Sequence, residues 1–336
     1  MSEPPLDEEA LGDWLSANLP GFEPPFALTK FPAGQSNPTY LIAAKSGEYV
    51  LRRKPFGPLL QSAHAVDREY RLLSGLSPLG FPVPRPLALC TDAAVIGAIF
   101  YVMEKAEGRP YSDGSLPGFE PARRAAIYFA MVDTLADLHG IDPQAAGLGD
   151  FGKPGNYFER QVARWTRQYR DSQTDDLPEM EHLIAWLPAS LPEQARTSIV
   201  HGDYRIDNVV FSGTRLTAVL DWELATLGDP IADFSYFAMQ WVLPADGAAP
   251  LGGLDLEALG IPSLDAISER YRSRSGIAVA ARLDWYFAYN LFRLAGIVQG
   301  IKKRLLDGTA SHANAAEIAA KVPVLAKAAW SFAQSA

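Results

Sequence analysis

The sequence predicts an α+β protein in two lobes, a small antiparallel-sheet lobe over residues 1–105 and a larger, mainly helical lobe over residues 106–336. Three observations predict it. Short apolar runs bounded by Gly, Pro and Asn turns crowd into the first third of the chain. From Pro121 onward, apolar residues recur at helical spacing. Among those helices one hairpin stands out: Asn208–Phe211 and Leu216–Leu220 flank a Ser-Gly-Thr turn, with acids and an amide gathered at its ends.

In the first lobe, residues 6–19 put Leu11, Trp14 and Leu15 at helical spacing with acids in the first turn, and Pro20-Gly21 stops the helix. Residues 27–42 read as strand, turn, strand, with the turn at Gly34, Gln35, Ser36 and Asn37 and the second strand over Thr39–Ala43. A tight turn at Gly34 lets backbone N–H groups and a small hydroxyl approach phosphate oxygens; a plain surface turn is the alternative. Glu48–Arg52 is a third strand, with Val50 and Arg52 on one face by alternation. Ala63–Leu76 carries Val66, Tyr70 and Leu73 at helical spacing, and Glu69 lies on that helix. The Pro-rich stretch up to Leu89 leads into a strand, and Ile96–Glu104 is a strongly apolar one. Met103, Glu104, Lys105 and Ala106 form the exit, which Gly108 and Pro110 end.

In the second lobe, Pro121–His139 carries the stripe Ile127, Met131, Leu135 and Leu138. Phe158–Tyr169 sets Arg160, Arg164 and Arg167 on one basic face. That face is either solvated or a contact for substrate phosphate or acyl-CoA. Leu183–Leu187 continues the helical lobe, Phe234–Leu243 reads as a buried helix, and 245–253 reads as a loop. Leu264–Gly276, Leu283–Leu306 and Glu317–Phe332 are further helices; Asn290 and Arg293 on the second of these are candidates to face a substrate.

The chemistry concentrates around the hairpin. His201, Asp203 and Asn208 precede its first strand, and Asp221 and Glu223 follow its second. Closing the hairpin brings Asn208 and Asp221 toward one point. An amide oxygen and a carboxylate there make a hard oxygen site for Mg²⁺ held with phosphate. Asp203, five residues before Asn208, falls beside that site rather than on it. An Asp with Asn five residues on, then a metal-binding Asp after a hairpin, is the spacing of protein kinases. With His-Gly-Asp in the loop, Asp-Trp-Glu after the hairpin and Leu-Gly-Asp-Pro-Ile-Ala-Asp at Leu227–Asp233, the chain resembles the aminoglycoside phosphotransferase and choline kinase family. It is most similar to the branch related to the kinase-like domain of animal acyl-CoA dehydrogenase fusion proteins. The likeness runs from Phe31 to Arg304.

The resemblance implies a protein-kinase-like two-lobed fold and transfer of the γ-phosphate of ATP to a small-molecule hydroxyl. It makes Asp203 the group that accepts or orients the hydroxyl proton, and Asn208 and Asp221 the Mg²⁺ ligands. Gly34–Asn37 would cover the phosphates. Val50, Met103, Glu104 and Ala106 would receive the adenine. Arg52 stands where such kinases have lysine and would grip the nonreacting phosphates, with Glu69 as its partner; Arg53 and Lys54 are alternatives if the register slips. Arg205 matches the position of a γ-phosphate-contacting lysine. His201, Asp229 and Asp233 are expected to buttress loops, and His139 to cap or pack. Only eleven residues separate Asp221 from Asp233, too few for a peptide-binding activation segment, so a small-molecule acceptor is expected. A hydroxyacyl-CoA fits the branch; an aminoglycoside or choline-type substrate, or an inactive nucleotide-binding scaffold, are the alternatives.

Composition narrows the class. The 336 residues carry a net charge of −9, which disfavours a nucleic-acid partner. No run approaches the ~18 apolar residues of a membrane span, and the acidic N-terminus lacks a signal-peptide core. The single cysteine, Cys90, excludes an intrachain disulfide and fits a reducing, cytoplasmic setting. The oligomeric state leaves no mark in the sequence.

Overall fold

A computed structural model describes residues 5–31, 37–56, 65–194, 196–243, 251–280, 282–309 and 314–336. The chain forms two compact units that do not follow a single cut. The first comprises Met1–Pro110, Ala146–Leu148 and Asn208–Leu224; the second comprises Tyr111–Ala145, Gly149–Asp207 and Ala225–Ala336.

The first unit is built on a five-stranded sheet of β1 (Phe26–Lys30), β2 (Thr39–Ala44), β3 (Gly47–Arg53), β4 (Pro86–Cys90) and β5 (Phe100–Glu104), in the order β1-β2-β3-β5-β4. Every neighbouring pair is antiparallel. Alternation in β2 turns Tyr40 and Ile42 inward, where they join Leu51, Phe100 and Val102. Helix α1 (Glu8–Asn18) covers this cluster with Leu11 and Leu15, both fully buried, and Trp14 meets Phe100 edge-on at 4.8 Å. Each such leucine contributes about 2 kcal/mol by leaving water. Asp7 caps α1 by accepting from Ala10 N at 3.0 Å. Helix α2 (Val66–Leu76) buries Leu72, Leu73, Leu76 and, unusually for a carboxylate, Glu69. The strand predicted over 96–104 begins only at Phe100. Gly97, at φ +81°, closes a turn with its N–H on Ala93 O.

The hairpin also belongs to this unit, although helices flank it in the chain. Its strands β7 (Val209–Ser212) and β8 (Arg215–Val219) pair with each other, while β6 (Ser198–Val200) and β9 (Thr226–Gly228), which flank them in the chain, pair within the second unit. β7 is held to the first unit by reciprocal backbone bonds between Arg109 and Phe211 (3.1 and 3.0 Å). Val219 N adds a bond to Pro82 O at 2.8 Å. Glu107 accepts from Ser212 Oγ through its carboxylate and from Thr217 Oγ1 through its carbonyl, both at 2.7 Å. The approach at Gly108 is so close that a Cβ would lie 2.2 Å from Phe211 O.

The second unit is helical. Its elements are α3 (Pro121–Gly140), α4 (Tyr157–Ser172), α5 (Pro178–Ala189), α6 (Pro230–Ala238), α7 (Leu256–Leu259), α8 (Leu264–Ser275), α9 (Asp284–Leu306), α10 (Ala315–Ala319) and α11 (Val322–Ser335). The long α9 is central and packs against α4, α6, α10 and α11. Arg270 and Arg274 of α8 pair with Asp133 and Asp137 of α3 at 2.6–2.7 Å. Two helix expectations need correction. The helix predicted over 317–332 is two helices, because Pro323 lacks an N–H and suits the first turn of a new helix rather than an interior. The buried run after Asp233 leaves α-helix at Ala238 for a 3₁₀ turn over Met239–Trp241. β6, β9 and α7 are too short for periodicity to reveal.

Gly108 sits at φ +109°, where an L side chain is strained and this one would meet backbone. Gly108→Ala is therefore expected to destabilise the protein by about 2 kcal/mol or more. A lowered urea midpoint at unchanged m-value is the readout; a wild-type midpoint would show that the loop relaxes around the methyl.

Candidate active site

In the first unit the register sets the site. Strand β3 places Arg52 opposite Thr39 on one side and Tyr101 on the other. From there its guanidinium reaches two acids: Nε lies 2.9 Å from Glu69 Oε2, and Nη2 lies 2.6 Å from Asp221 Oδ1. Arg52 and Glu69 are almost wholly buried, while Asp221 keeps a third of its side chain exposed. Burial works against the charge of Arg52, but Glu69 and Asp221 outweigh it and hold the guanidinium above its ordinary pKa. Burial pushes the Glu69 carboxyl up, opposed by Arg52 and by the Trp222 N–H. The register question is answered by these partners. Arg53 turns to Lys54 O (2.7 Å), Tyr40 OH (3.3 Å) and the face of Phe56, and Lys54 pairs with Asp67 at 3.2 Å.

Asp221 has φ +62°, left-handed for a residue with a Cβ. Such strain persists where surrounding contacts impose it, and it clusters at functional positions. Here Val209 pairs with Val219, and Leu220 N donates to Asn208 O at 2.8 Å, so the hairpin end brings Asn208 beside the turn into Asp221. Arg52 occupies one lobe of the Asp221 carboxylate; a carboxylate has about four lone-pair sites, so acceptor capacity remains. Among the described residues no group of three or more His, Cys, Asp or Glu could hold a metal. Mg²⁺ commonly takes one or two protein oxygens and completes its shell with water and phosphate. One carboxylate and one amide fit that demand. Glu223 is exposed, and its charge adds to those acting on Arg52.

The other nucleotide candidates are placed as follows. Gly34, Gln35 and Ser36 lie outside the described residues. Asn37 is buried, and its carbonyl accepts from Thr39 Oγ1 at 3.0 Å. Val50 and Met103 pair across β3 and β5, both buried. The Glu104 side chain is exposed and bound to Arg85, with its N–H on Arg85 O at 2.9 Å; Ala106 is half-buried.

In the second unit the loop from His201 to Asp207 is organised from below. Buried Asp233 accepts from His201 N at 2.6 Å and Gly202 N at 2.8 Å, and lies 3.2 Å from His139 Nε2. His139 Nδ1 meets Tyr271 OH at 2.6 Å. An ionised carboxylate only accepts, so Nε2 carries the proton and a neutral His139 would accept from the tyrosine. Burial would raise the Asp233 pKa, yet the His139 hydrogen bond and the loop contacts hold it below the ordinary carboxylate value. His201 Nδ1 accepts from Asp203 N at 3.1 Å.

On this frame Asp203 projects with about a quarter of its side chain exposed. Tyr236 OH donates to its Oδ1 at 2.6 Å, and Arg205 Nε stands 3.5 Å from the same oxygen. Arg205 also pairs with Asp207 at 2.5 Å. Burial and the Asp203 charge both raise the Tyr236 pKa, so Tyr236 stays a donor. Arg293 donates to Gly202 O and lies over the rings of Tyr236 (5.0 Å) and Trp165 (5.4 Å).

The remaining substrate candidates diverge. Asn290 is fully buried and donates to Ala232 O and Ser235 Oγ (3.3 and 2.9 Å), which is packing between α9 and α6 rather than a substrate contact. Arg160 folds back onto the carbonyls of Gly155 and Lys153, so it is not part of an open basic stripe. Arg164 and Arg167 are exposed, with Arg164 over Trp165 at 5.1 Å. Sequence reading missed Tyr236 because it sits in a run of aromatic core residues. Asp229 and Asp233 are where expected, as N-cap to Ile231 N (2.8 Å) and loop anchor.

An antiparallel sheet unit, a helical unit, and Asp203, Asn208 and Asp221 on these elements define the protein-kinase-like class. The chain belongs to the phosphotransferase enzyme family, which it matches over residues 27–267. It is 46% identical to mouse acyl-CoA dehydrogenase family member 10 over 92% of this chain and 29% of that protein. It is 39% identical to human acyl-CoA dehydrogenase family member 11, over 91% of this chain and 40% of that protein. The chain thus spans well under half the length of these curated relatives. A crystal structure from Ralstonia eutropha described as a candidate aminoglycoside phosphotransferase is 44% identical, covers 98% of this chain and 99% of its own, and superposes with a TM-score of 0.89. An aminoglycoside phosphotransferase in ternary complex with ADP and hygromycin B shares the fold at TM-score 0.63 and 14% identity, covering 97% of this chain and 98% of its own. Among the described residues, no helix is long and apolar enough to cross a membrane.

Because the folded pKa of Asp233 lies below its unfolded value of about 3.9, its stabilisation is complete above that value and is lost as pH falls through the folded one. Asp233→Asn should cost about 3 kcal/mol at pH 7 by stranding buried donors. It should also flatten the acid limb of the stability curve, measured by denaturant titration from pH 3 to 7. An acid limb as steep as wild type would remove Asp233 from that role.

Proposed function

We propose that the chain transfers the γ-phosphate of ATP to a hydroxyl of a small molecule, with a hydroxyacyl thioester such as a hydroxyacyl-CoA as the leading acceptor. The carrying observation is Asp203: a partly exposed carboxylate fixed by Tyr236 on a loop anchored to Asp233. Phosphoryl transfer needs position and charge compensation more than covalent help. Asp203 would accept or orient the acceptor proton. Arg205 would meet the γ-phosphate. Arg52 would grip the nonreacting phosphates while Glu69 keeps it aimed. Gly34–Asn37 would cover the phosphates, and the chain at Val50 and Met103–Ala106 would receive the adenine. Mg²⁺ would be held by Asn208 and Asp221 and would neutralise charge on the phosphoryl oxygens.

The ADP-bound family-fold neighbour supports a nucleotide substrate. The names of the mouse and human relatives support acyl-CoA chemistry, and a site lined by Arg164 and Arg167 would disfavour a polycationic aminoglycoside. A soluble cytoplasmic setting is part of the proposal and accords with buried, unpaired Cys90. One observation favours a second reading, an inactive nucleotide-binding scaffold: Arg52, in place of lysine, is bonded directly to Asp221.

ATP consumption over a panel of hydroxyacyl-CoAs, aminoglycosides and choline separates these readings; Mg-ATP binding with no turnover of any alcohol would favour the scaffold. Asp203→Asn should lower kcat by about 10²–10⁴-fold with Mg-ATP affinity nearly intact, and retained turnover would remove Asp203 from its role. Asp221→Ala should lose Mg-dependent nucleotide binding by calorimetry; unchanged affinity would count against the metal pair.

A further inference from the structure

Arg293 is a nearly buried cation with no carboxylate in direct contact, although the charge of Asp203 reaches it. It is 7% exposed, on α9 in the middle of the second unit. Among the described residues no carboxylate lies within 4 Å of its guanidinium, and the Nη2 bond to Gly202 O is its one hydrogen bond. A guanidinium offers five donors, so most are left over. Burying a charge in this way is costly unless something pairs with it. The aromatic faces of Trp165 and Tyr236 offset part of that cost and fix the plane of the fork. Gly202 adjoins Asp203, and Tyr236 holds Asp203 as it underlies Arg293, so the unused donors and the proposed base share one frame.

We propose that Arg293 is the anion receptor of the acceptor site, taking a carboxylate or phosphate oxygen of the hydroxyl substrate beside Asp203. The proposal rests on the kinase reading and deepens it: the acceptor is an anionic alcohol. Of the nearby charges, Arg205 and Arg293 are balanced in number by Asp203 and Asp207, and Arg164 on Trp165 is the further cation. The anion can be the carboxylate of a hydroxy acid or a phosphate of a CoA thioester, and the two are separable.

The test is calorimetry on the full chain saturated with Mg-AMP-PNP, using 3-hydroxybutyrate, CoA and the neutral 1,3-butanediol as probes. At least one anion should bind and the diol should not. Arg293→Gln should weaken that anion tenfold or more, Arg293→Lys should retain part of the affinity, and Asp203→Asn should tighten it by removing a neighbouring negative charge. Binding of 3-hydroxybutyrate alone identifies a hydroxy acid, and binding of CoA alone identifies the thioester. Equal binding of diol and anion, no binding of either anion, or anion affinity unchanged in both Arg293 variants overturns the proposal. Should Arg293→Gln fail to fold, Arg293→Lys decides. Loss of Mg-AMP-PNP binding in the wild type would instead sink the kinase reading, so the two failures are distinct.

Discussion

The first unit depends on one buried arginine. Arg52 leaves β3 and ties α2, through Glu69, to the hairpin end, through Asp221. Removing one partner of a buried pair costs about 3–5 kcal/mol, so the Glu69 contact is a strong constraint on where α2 lies against the sheet. The Asp221 contact is partly solvated and worth less. It bears on shape as well, for it meets an aspartate in a left-handed conformation that non-glycine residues adopt only occasionally. One side chain thereby sets the position of a helix and the aim of a carboxylate.

The second unit solves a parallel problem with the opposite sign of charge. Asp233 is a buried acid satisfied by two backbone N–H groups and a histidine. It shapes the loop on which Asp203 stands with about a quarter of its side chain exposed. Tyr236 and Arg205 then hold Asp203 from two sides. Rigid support below and an accessible carboxylate above is the arrangement that positioning a proton acceptor requires.

Family membership and fold-level likeness answer different questions. The 44% identical Ralstonia structure and the acyl-CoA dehydrogenase relatives share most of this chain, whereas the hygromycin-bound neighbour shares the fold alone. Function lives in sites placed on folds. For that reason Arg293, Trp165 and Tyr236 bear more on the acceptor than any overall superposition does.

What the sequence determined by itself was local. Hairpin and helix periods, the Gly-Asp and Asp-Trp-Glu motifs and the Asp203–Asn208 spacing follow from residues near one another in the chain, where turn chemistry and alternation act. Arg52 with Glu69 was also legible, through strand alternation and a helix acid. The tertiary structure alone decided the rest. It placed the hairpin in the first unit through Arg109, Glu107 and Val219. It buried Asn290 in packing and folded Arg160 onto its own loop. It recruited Tyr236 from an apparent core run and left Arg293 nearly buried with no carboxylate in direct contact. Those outcomes turn on which side chains meet across long separations. A one-dimensional pattern records the character of a face and not what comes to rest against it.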